Sequence, residues 1–387
     1  MPILGIFATM HFSIALLAIY TLGFWCFIQI FYYLFFFLRL VLHKNYSAAA
    51  DSQEHFSIII CAKNEETNIS KHLEYWITQQ YHNLNGEPMY EVILVDDNSD
   101  DGSNYLFQDL APKYKHLRIV SLRQEAKGIR GKKFPLSMGI KEAKYENLLL
   151  TDADCAPASN LWLQQIANSY QKQNTQVVLG YGAYRKYNGF LNKWIRWETA
   201  MTAMQYLSYA LAKIPYMGVG RNLSYKKELF IANKGFSSHT HLLSGDDDLF
   251  INQVANGKNT RININPNAFT YSEPKKTYDA WFFQKRRHLT TGKYYKGIHQ
   301  FFLGLFSASH FLFFAAFIWA LFYPKFYIIT AGIFIIRWIV QYIIFAICFK
   351  KLGEYDLIPS IWLFDIYTLI YNIRMLPALF TSNKEWR

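Results

Sequence analysis

The stretch Leu148-Leu149-Leu150-Thr151-Asp152-Ala153-Asp154 ends an apolar run of strand character in two carboxylates separated by one residue. On an extended chain residues i and i+2 point the same way, so Asp152 and Asp154 can converge on one cation. Hard oxygen ligands suit Mg²⁺ or Mn²⁺, ions that hold phosphates through one or two carboxylates. A second acidic run, Ser244-Gly245-Asp246-Asp247-Asp248-Leu249, sets adjacent carboxylates that repel unless they point apart or meet a cation. One of them can take a proton from a hydroxyl. A third run, Asp96-Asp97-Asn98-Ser99-Asp100-Asp101, stops the apolar segment 91–95. Asp97 can accept a hydrogen bond from an imide N–H such as that of uracil, and Asp100 or Asp101 suits the cap of a helix starting at Ser103. Each run also has a plainer reading, as an acidic turn after a strand or an acidic helix N-terminus.

The elements that must position these acids alternate. Residues 56–61, 91–95, 117–122 and 147–151 read as short buried strands. Between them, 65–80 and the segment opening at 136–143 read as helices, with Ile69, Leu73, Trp76 and Ile77 on one face of the first. This alternation predicts an α/β domain with a largely parallel sheet. Such sheets place ligands outside the carboxyl ends of their strands, where the acids at 96–97 and 152–154 stand. The loop 124–133 is short, basic and glycine-bearing; Lys132 either reaches phosphates or is solvated. Residues 190–214, with Trp194, Trp197, Tyr206 and Tyr209, suit a helix on a membrane surface or a core helix. In the aromatic and basic stretch 281–288, Gln284 and His288 share a helix face. That stretch also suits a juxtamembrane helix meeting anionic headgroups.

Apolar residues concentrate at the two ends of the 387-residue chain, which is 52% hydrophobic overall. No charged side chain lies between His11 and Arg39, longer than the roughly twenty residues a spanning helix needs. Segments 301–322 and 326–349 are also long enough to span, with Pro324-Lys325 as the turn between them. Segment 357–380 is interrupted by Asp365, Asn372 and Arg374 and reads as interfacial or re-entrant, with a full span as the alternative. The domains expected are an N-terminal transmembrane segment 1–45, a soluble domain 46–295 and a C-terminal membrane region 296–387. His43-Lys44 and Lys350-Lys351 against a lone Lys325 put the soluble domain on the cytoplasmic side. The formal charge of +12 fits nucleic acid, a polyanionic ligand or an anionic membrane surface. Signals for helix-turn-helix, zinc-finger or RNA-binding motifs are lacking, so nucleic acid is not an expected partner. The four cysteines have no paired spacing, which argues against a disulfide or zinc framework.

In order along the chain, these motifs resemble those of glycosyltransferase family 2, whose catalytic domain has the GT-A fold. The resemblance rests on Ser57-Ile-Ile-Ile-Cys-Ala-Lys-Asn64-Glu65, Val95-Asp96-Asp97, Asp152-Ala-Asp154, Gly245-Asp246-Asp247-Asp248-Leu249 and Gln284-Lys-Arg-Arg287-His288. It covers about residues 55–290, with a membrane arrangement similar to that of ceramide glucosyltransferase and the polysaccharide synthases. The resemblance implies an inverting transfer from a nucleotide-sugar, a UDP-sugar, to a lipid or lipid-linked acceptor at a bacterial plasma membrane. It implies nucleotide-sugar contacts at Asn64, Glu65, Asp96, Asp97, Lys132 and Asp152, and Mg²⁺ or Mn²⁺ on Asp154 and Asp152. Aligning Leu249 puts Asp246 at the base position, with Asp247 second. Gly245 stands where many members carry Glu, and His288 replaces the usual Trp. Met217-Gly-Val-Gly220-Arg221-Asn222 is similar to a family loop, so Arg221 joins Gln284, Arg287 and His288 in facing acceptor or diphosphate. Alternatives are a processive polysaccharide synthase and, in another class, a non-catalytic membrane-tethered binding protein.

Overall fold

A computed structural model of the chain describes residues 2–45, 54–123, 129 and 131–379. Of the basic loop expected at 124–133, residues 124–128 and 130 lie outside the described residues, as does Phe380. The chain divides into two units, His43–Tyr295 and Met1–Leu42 with Lys296–Pro377.

The strands are β1 (Phe56–Ala62), β2 (Tyr90–Asp97), β3 (Leu117–Leu122), β4 (Asn147–Asp152), β5 (Cys155–Pro157), β6 (Val177–Leu179), β7 (Gly182–Tyr184), β8 (Leu223–Lys226), β9 (Thr260–Ile262) and β10 (Thr270–Ser272). The α-helices are α1 (Pro2–Phe31), α2 (Leu38–Leu42), α3 (Glu66–Ile77), α4 (Ser103–Leu110), α5 (Lys133–Glu142), α6 (Trp162–Tyr170), α7 (Phe190–Leu211), α8 (Lys227–Ala232), α9 (Asp248–Val254), α10 (Tyr278–Leu289), α11 (Gly297–Ala320), α12 (Tyr327–Lys351) and α13 (Ile361–Met375).

Among the described residues of His43–Tyr295, a seven-stranded sheet runs β3-β2-β1-β4-β8-β6-β9, and only β8 is antiparallel to the rest. The runs Ile58-Ile59-Ile60, Val92-Ile93-Leu94 and Leu148-Leu149-Leu150 are buried, as strands covered on both faces must be. Amphipathic α3 lays Ile69, Leu73, Trp76 and Ile77 into the core that Phe56, Ile58 and Val92 help form. Helix α5 approaches the sheet so closely that a Cβ on Gly139 would meet Ile59 at 2.7 Å and Val95 at 2.8 Å. This helix begins at Lys133 rather than 136, because Pro135 is tolerated in a first turn whose N–H groups need no intrahelical partner.

Register decides what the sheet presents. Ala62 pairs with Asp96, and Cys61 pairs with Asp152. The ends of β1, β2 and β4 are therefore level, and the acids that close β2 and β4 emerge at one edge. In α7, Trp194, Trp197, Tyr206 and Tyr209 are all buried. That aromatic helix is a core element, and its aromatic composition follows from packing.

In the other unit, Phe12–Leu42, Gly297–Ala320 and Pro324–Lys351 are three helices long and apolar enough to cross a membrane. The first stays helical through a π-helical turn at Tyr32–Phe37. Helix α13 has 15 residues, roughly 22 Å of rise against a hydrocarbon core of about 30 Å. Its Asp365 meets Arg337 at 2.6 Å, His310 at 2.9 Å and Gln341 at 2.7 Å. Gln29 accepts from Tyr33 and Arg337 and donates to Ser309. The charge that interrupts the last apolar segment is thus buried and paired, the arrangement an ionisable group needs among apolar helices.

Candidate functional site

Leaving β1, the chain turns through Asn64, at φ +57°, into α3. The Asn64 N–H donates to Ser99 Oγ (3.0 Å), and the Asp100 N–H donates to Asn64 Oδ1 (2.8 Å). These bonds lock the loop after β1 to the loop after β2. Asp96 is buried and accepts from the Ser99 N–H (3.1 Å), which closes the turn. Asp97, half-buried, is the acid of that pair at the sheet edge. Asp101 accepts from the N–H groups of Ser103 and Glu66, so of the two candidate caps it is Asp101 that serves α4, and it serves α3 as well.

At the end of β4, ligand atoms of Asp152, Asp154 and Cys155 lie within 4.8 Å of one another. The Cys155 thiol is buried, contacts Asp154 Oδ1 (3.2 Å) and Ser272 Oγ (2.8 Å), and is pushed well above its usual range by burial and the adjacent acids. The carboxylates do fit a hard divalent ion. Burial and then the charge of Asp152 push Asp154 upward, against the opposing pull of Arg221 and Lys132, so Asp154 is the carboxylate that a bound cation would relieve. Glu65 also rises through burial, and Asp154 and Asp152 add to that rise. Burial alone would raise Asp152, but Lys132, then Arg221 and Arg287, hold it below the usual carboxylate range.

Lys132 joins the two acidic motifs. Its ammonium pairs with Asp152, and although burial favours the neutral amine, the charges of Asp152 and Asp246 outweigh it and keep Lys132 protonated. Cys61, at the end of β1, is pushed up to about 12, mostly by burial, and feels Lys132, Asp152, Asp246 and Asp97. Charges from the nucleotide, metal and base motifs of the sequence therefore all act on Cys61 at the end of β1.

The three aspartates at 246–248 differ in what they hold. Asp247 accepts from the N–H groups of Gly220 (2.8 Å) and Asp248 (2.7 Å), capping α9. Burial and its two acidic neighbours push it up to about 8. Asp248 is buried and accepts from the Leu249 N–H, Thr291 Oγ1 and Tyr295 OH. Asp246 is half-buried, and among the described residues its carboxylate accepts no hydrogen bond. Gly245 holds φ +105°, and a Cβ there would sit 2.6 Å from Leu249. A side chain at this position of the loop would therefore be strained.

Lys133 is a residue the motif reading passed over. It is fully buried at the start of α5, and its ammonium donates to the carbonyls of Leu242 (2.6 Å) and Ser244 (2.8 Å), just before Asp246. Only its place beside Lys132 signalled it. Arg221 lies over the Tyr184 ring (4.4 Å) and donates to Ser272 Oγ (3.2 Å) and the Gly182 carbonyl (2.9 Å). On α10, Arg287 acts on Asp152, Gln284 is half-buried and His288 is exposed. Lys285 of the same helix pairs with Glu198 of α7.

A mostly parallel sheet with acids at the ends of adjacent strands is the architecture of a nucleotide-sugar-type GT-A domain. The chain matches two family models, Glycosyl transferase family 2 over residues 57–232 and Glycosyl transferase family group 2 over residues 148–368. It belongs to glycosyltransferase family 2. It is similar to the beta-monoglucosyldiacylglycerol synthase of Trichormus variabilis, at 33% identity over 122 residues, covering 32% of this chain and 25% of that protein. The match thus spans about a quarter of that relative's length. It is also similar to the probable glycosyltransferase YdaM of Bacillus subtilis, at 24% identity over 318 residues, 75% of this chain and 71% of that protein. Among solved structures, the mannosyltransferase PcManGT from Pyrobaculum calidifontis, in complex with GDP-Man and Mn²⁺, superposes with a TM-score of 0.56 at 17% identity, covering 92% of this chain and 99% of that one.

Proposed function

We propose that the chain is an inverting glycosyltransferase that moves a sugar from a nucleotide-sugar, a UDP-sugar, to a lipid or lipid-linked acceptor presented at a membrane. The observation that carries this reading is the grouping of Asp152 and Asp154 at the end of β4 with Lys132 paired to Asp152, and the charge of Asp246 also favours that ammonium. In this mechanism Asp246 takes the proton of the acceptor hydroxyl as that oxygen attacks the anomeric carbon. The bond from the anomeric carbon to the diphosphate oxygen breaks as the new one forms, and the nucleoside diphosphate leaves with the electron pair. No protein nucleophile is needed. Asp154 and Asp152 would hold Mg²⁺ or Mn²⁺, which when bound supplies positive charge for the departing diphosphate. Lys132, Arg221 and Arg287 add fixed positive charge on the same side. Asp97 suits the imide N–H of a base, while Asn64 and Asp96 hold the loops on which it stands. Gln284 and His288 are assigned to the acceptor side, beside Arg287.

The relative named as a beta-monoglucosyldiacylglycerol synthase and the three apolar helices support a lipid acceptor, and the basic residues 43–44 and 350–351 favour the cytoplasmic face of a bacterial plasma membrane. A screen of nucleotide-sugars for diphosphate release by membranes holding the protein, with lipid extract added or withheld, tests donor and acceptor together. Product size separates a lipid glycoside from a polysaccharide. In the same assay Asp246→Asn loses transfer by about 10²–10⁴-fold while retaining UDP binding. Retained transfer moves the base to Asp247. Polyanion binding that is salt-sensitive and indifferent to metal would replace the enzyme with a binding protein.

A further inference from the structure

The metal motif is held from behind by ring N–H groups of α3. Trp76 Nε1 donates to the Cys155 carbonyl at 3.1 Å, and His72 Nδ1 lies 3.1 Å from the Ala153 carbonyl. A carbonyl oxygen only accepts, so Nδ1 carries the proton. Both rings are buried, at 1% and 0% exposure. They stand four residues apart on α3, hence on one helix face, and they reach the alternate carbonyls of Asp152-Ala153-Asp154-Cys155. The same face packs Ile69, Leu73 and Ile77 into the core, so α3 is fixed relative to the sheet. A turn that bears two mutually repelling carboxylates has reason to splay, and rigid rings bonded to its backbone oppose that motion.

From this geometry we infer that His72 and Trp76 are positioning residues that pre-set the Asp152–Asp154 spacing for a divalent cation. The inference rests on the metal reading of Asp152 and Asp154 given above. It goes beyond that reading by assigning the cation's affinity partly to side chains that touch neither cation nor sugar. Partners that orient ligands from one layer out typically change metal affinity by about 10–100-fold when removed.

The test measures Mn²⁺ binding to the purified full chain by electron paramagnetic resonance, without donor or acceptor. Trp76→Phe keeps an aromatic ring, though a smaller one, and removes the N–H; His72→Phe keeps a ring of similar size and removes the second donor. Tyr90→Phe is the control, since its hydroxyl donates to the Ile77 carbonyl at the end of α3 and is equally buried, but it does not touch the metal turn. Expected is a loss of Mn²⁺ affinity of about 10-fold or more in Trp76→Phe and His72→Phe. Tyr90→Phe should retain wild-type affinity at whatever stability it has. His72→Asn, which keeps an N–H donor, should recover part of the loss. Equal Mn²⁺ affinity in Trp76→Phe, His72→Phe and wild type overturns the inference, as does an equal loss in Tyr90→Phe. If the wild type itself binds no Mn²⁺, or Asp154→Asn binds it unchanged, the metal reading fails first and the inference with it.

Discussion

Two clusters of buried charge in this molecule follow opposite rules. In the membrane-type unit, Asp365 has Arg337, His310 and Gln341 around it, and Gln29 and Ser309 continue the network. The acid and the base there satisfy each other. At the edge of β1, β2 and β4, Asp97, Asp152, Asp154 and Asp246 stand with Lys132 paired to Asp152 and with Arg221 and Arg287 acting on it, and Asp154 is left pushed upward by burial and then by Asp152. Completed networks hold helices together; a cluster with surplus charge of one sign is built for a ligand that supplies the missing charge. The contrast also separates Asp248, which is saturated with donors, from Asp246, which is adjacent in sequence and open.

The sharpest way to break the comparison is to neutralise each cluster. In the sheet-edge cluster, Asp154→Asn or chelation of divalent ions is expected to lower sugar transfer by about 10³-fold or more, with no loss of thermal stability. A stability loss without loss of transfer would make Asp154 structural. In the helix cluster the expectation reverses. Asp365→Ala strands the Arg337 charge and should cost about 3–5 kcal/mol, read by thermal unfolding in detergent. Replacing both, as Arg337→Met with Asp365→Leu, should recover most of that loss. If the single variant is as stable as wild type, the network is not structural.

Lys133→Met comes next. It leaves two buried carbonyls unpaired before Asp246, at about 1–3 kcal/mol, and should lower kcat more than it raises the donor KM. Lys133→Arg should restore part of kcat. An unchanged kcat would remove Lys133 from the base loop's support.

The last test concerns pH. Asp247 ionises at about 8 in the folded chain, through burial and then its acidic neighbours, against the ordinary 3.8. The folded state therefore holds a proton that the unfolded state has released. Its stabilising contribution is complete below about pH 4 and declines as pH rises to 8, with a slope of at most about 1.4 kcal/mol per pH unit. Asp247→Asn should flatten the fall in thermal midpoint over that window. An identical slope in the variant would assign the pH dependence to other groups.

Much of the fold was legible because strands at the centre of a parallel sheet must be apolar throughout. Segments 56–61, 91–95 and 147–151 therefore stood out, and their ends were off by a residue or two. The acids were legible because two or three carboxylates in succession break such runs abruptly. The reading 190–214 left two homes for an aromatic helix, since Trp and Tyr suit a bilayer interface and a crowded core equally; contacts with the domain decided for the core. Alignment on Leu249 ranks Asp246 first and Asp247 second, but no local pattern tells which of three identical side chains is saturated with donors and which is open.

By itself, the order of residues determined the element types, the long apolar helices and the motifs that mark the family. These depend on local chain geometry and on a short-range alternation of apolar and polar side chains. Tertiary structure alone decided that Lys132 bridges two motifs and that Lys133 braces the third. It also decided that Asp365 is paired and that ring N–H groups of α3 hold the metal turn. Each of these depends on a distance between residues far apart along the chain. Register, crossover and packing fix such distances, and no local pattern encodes them.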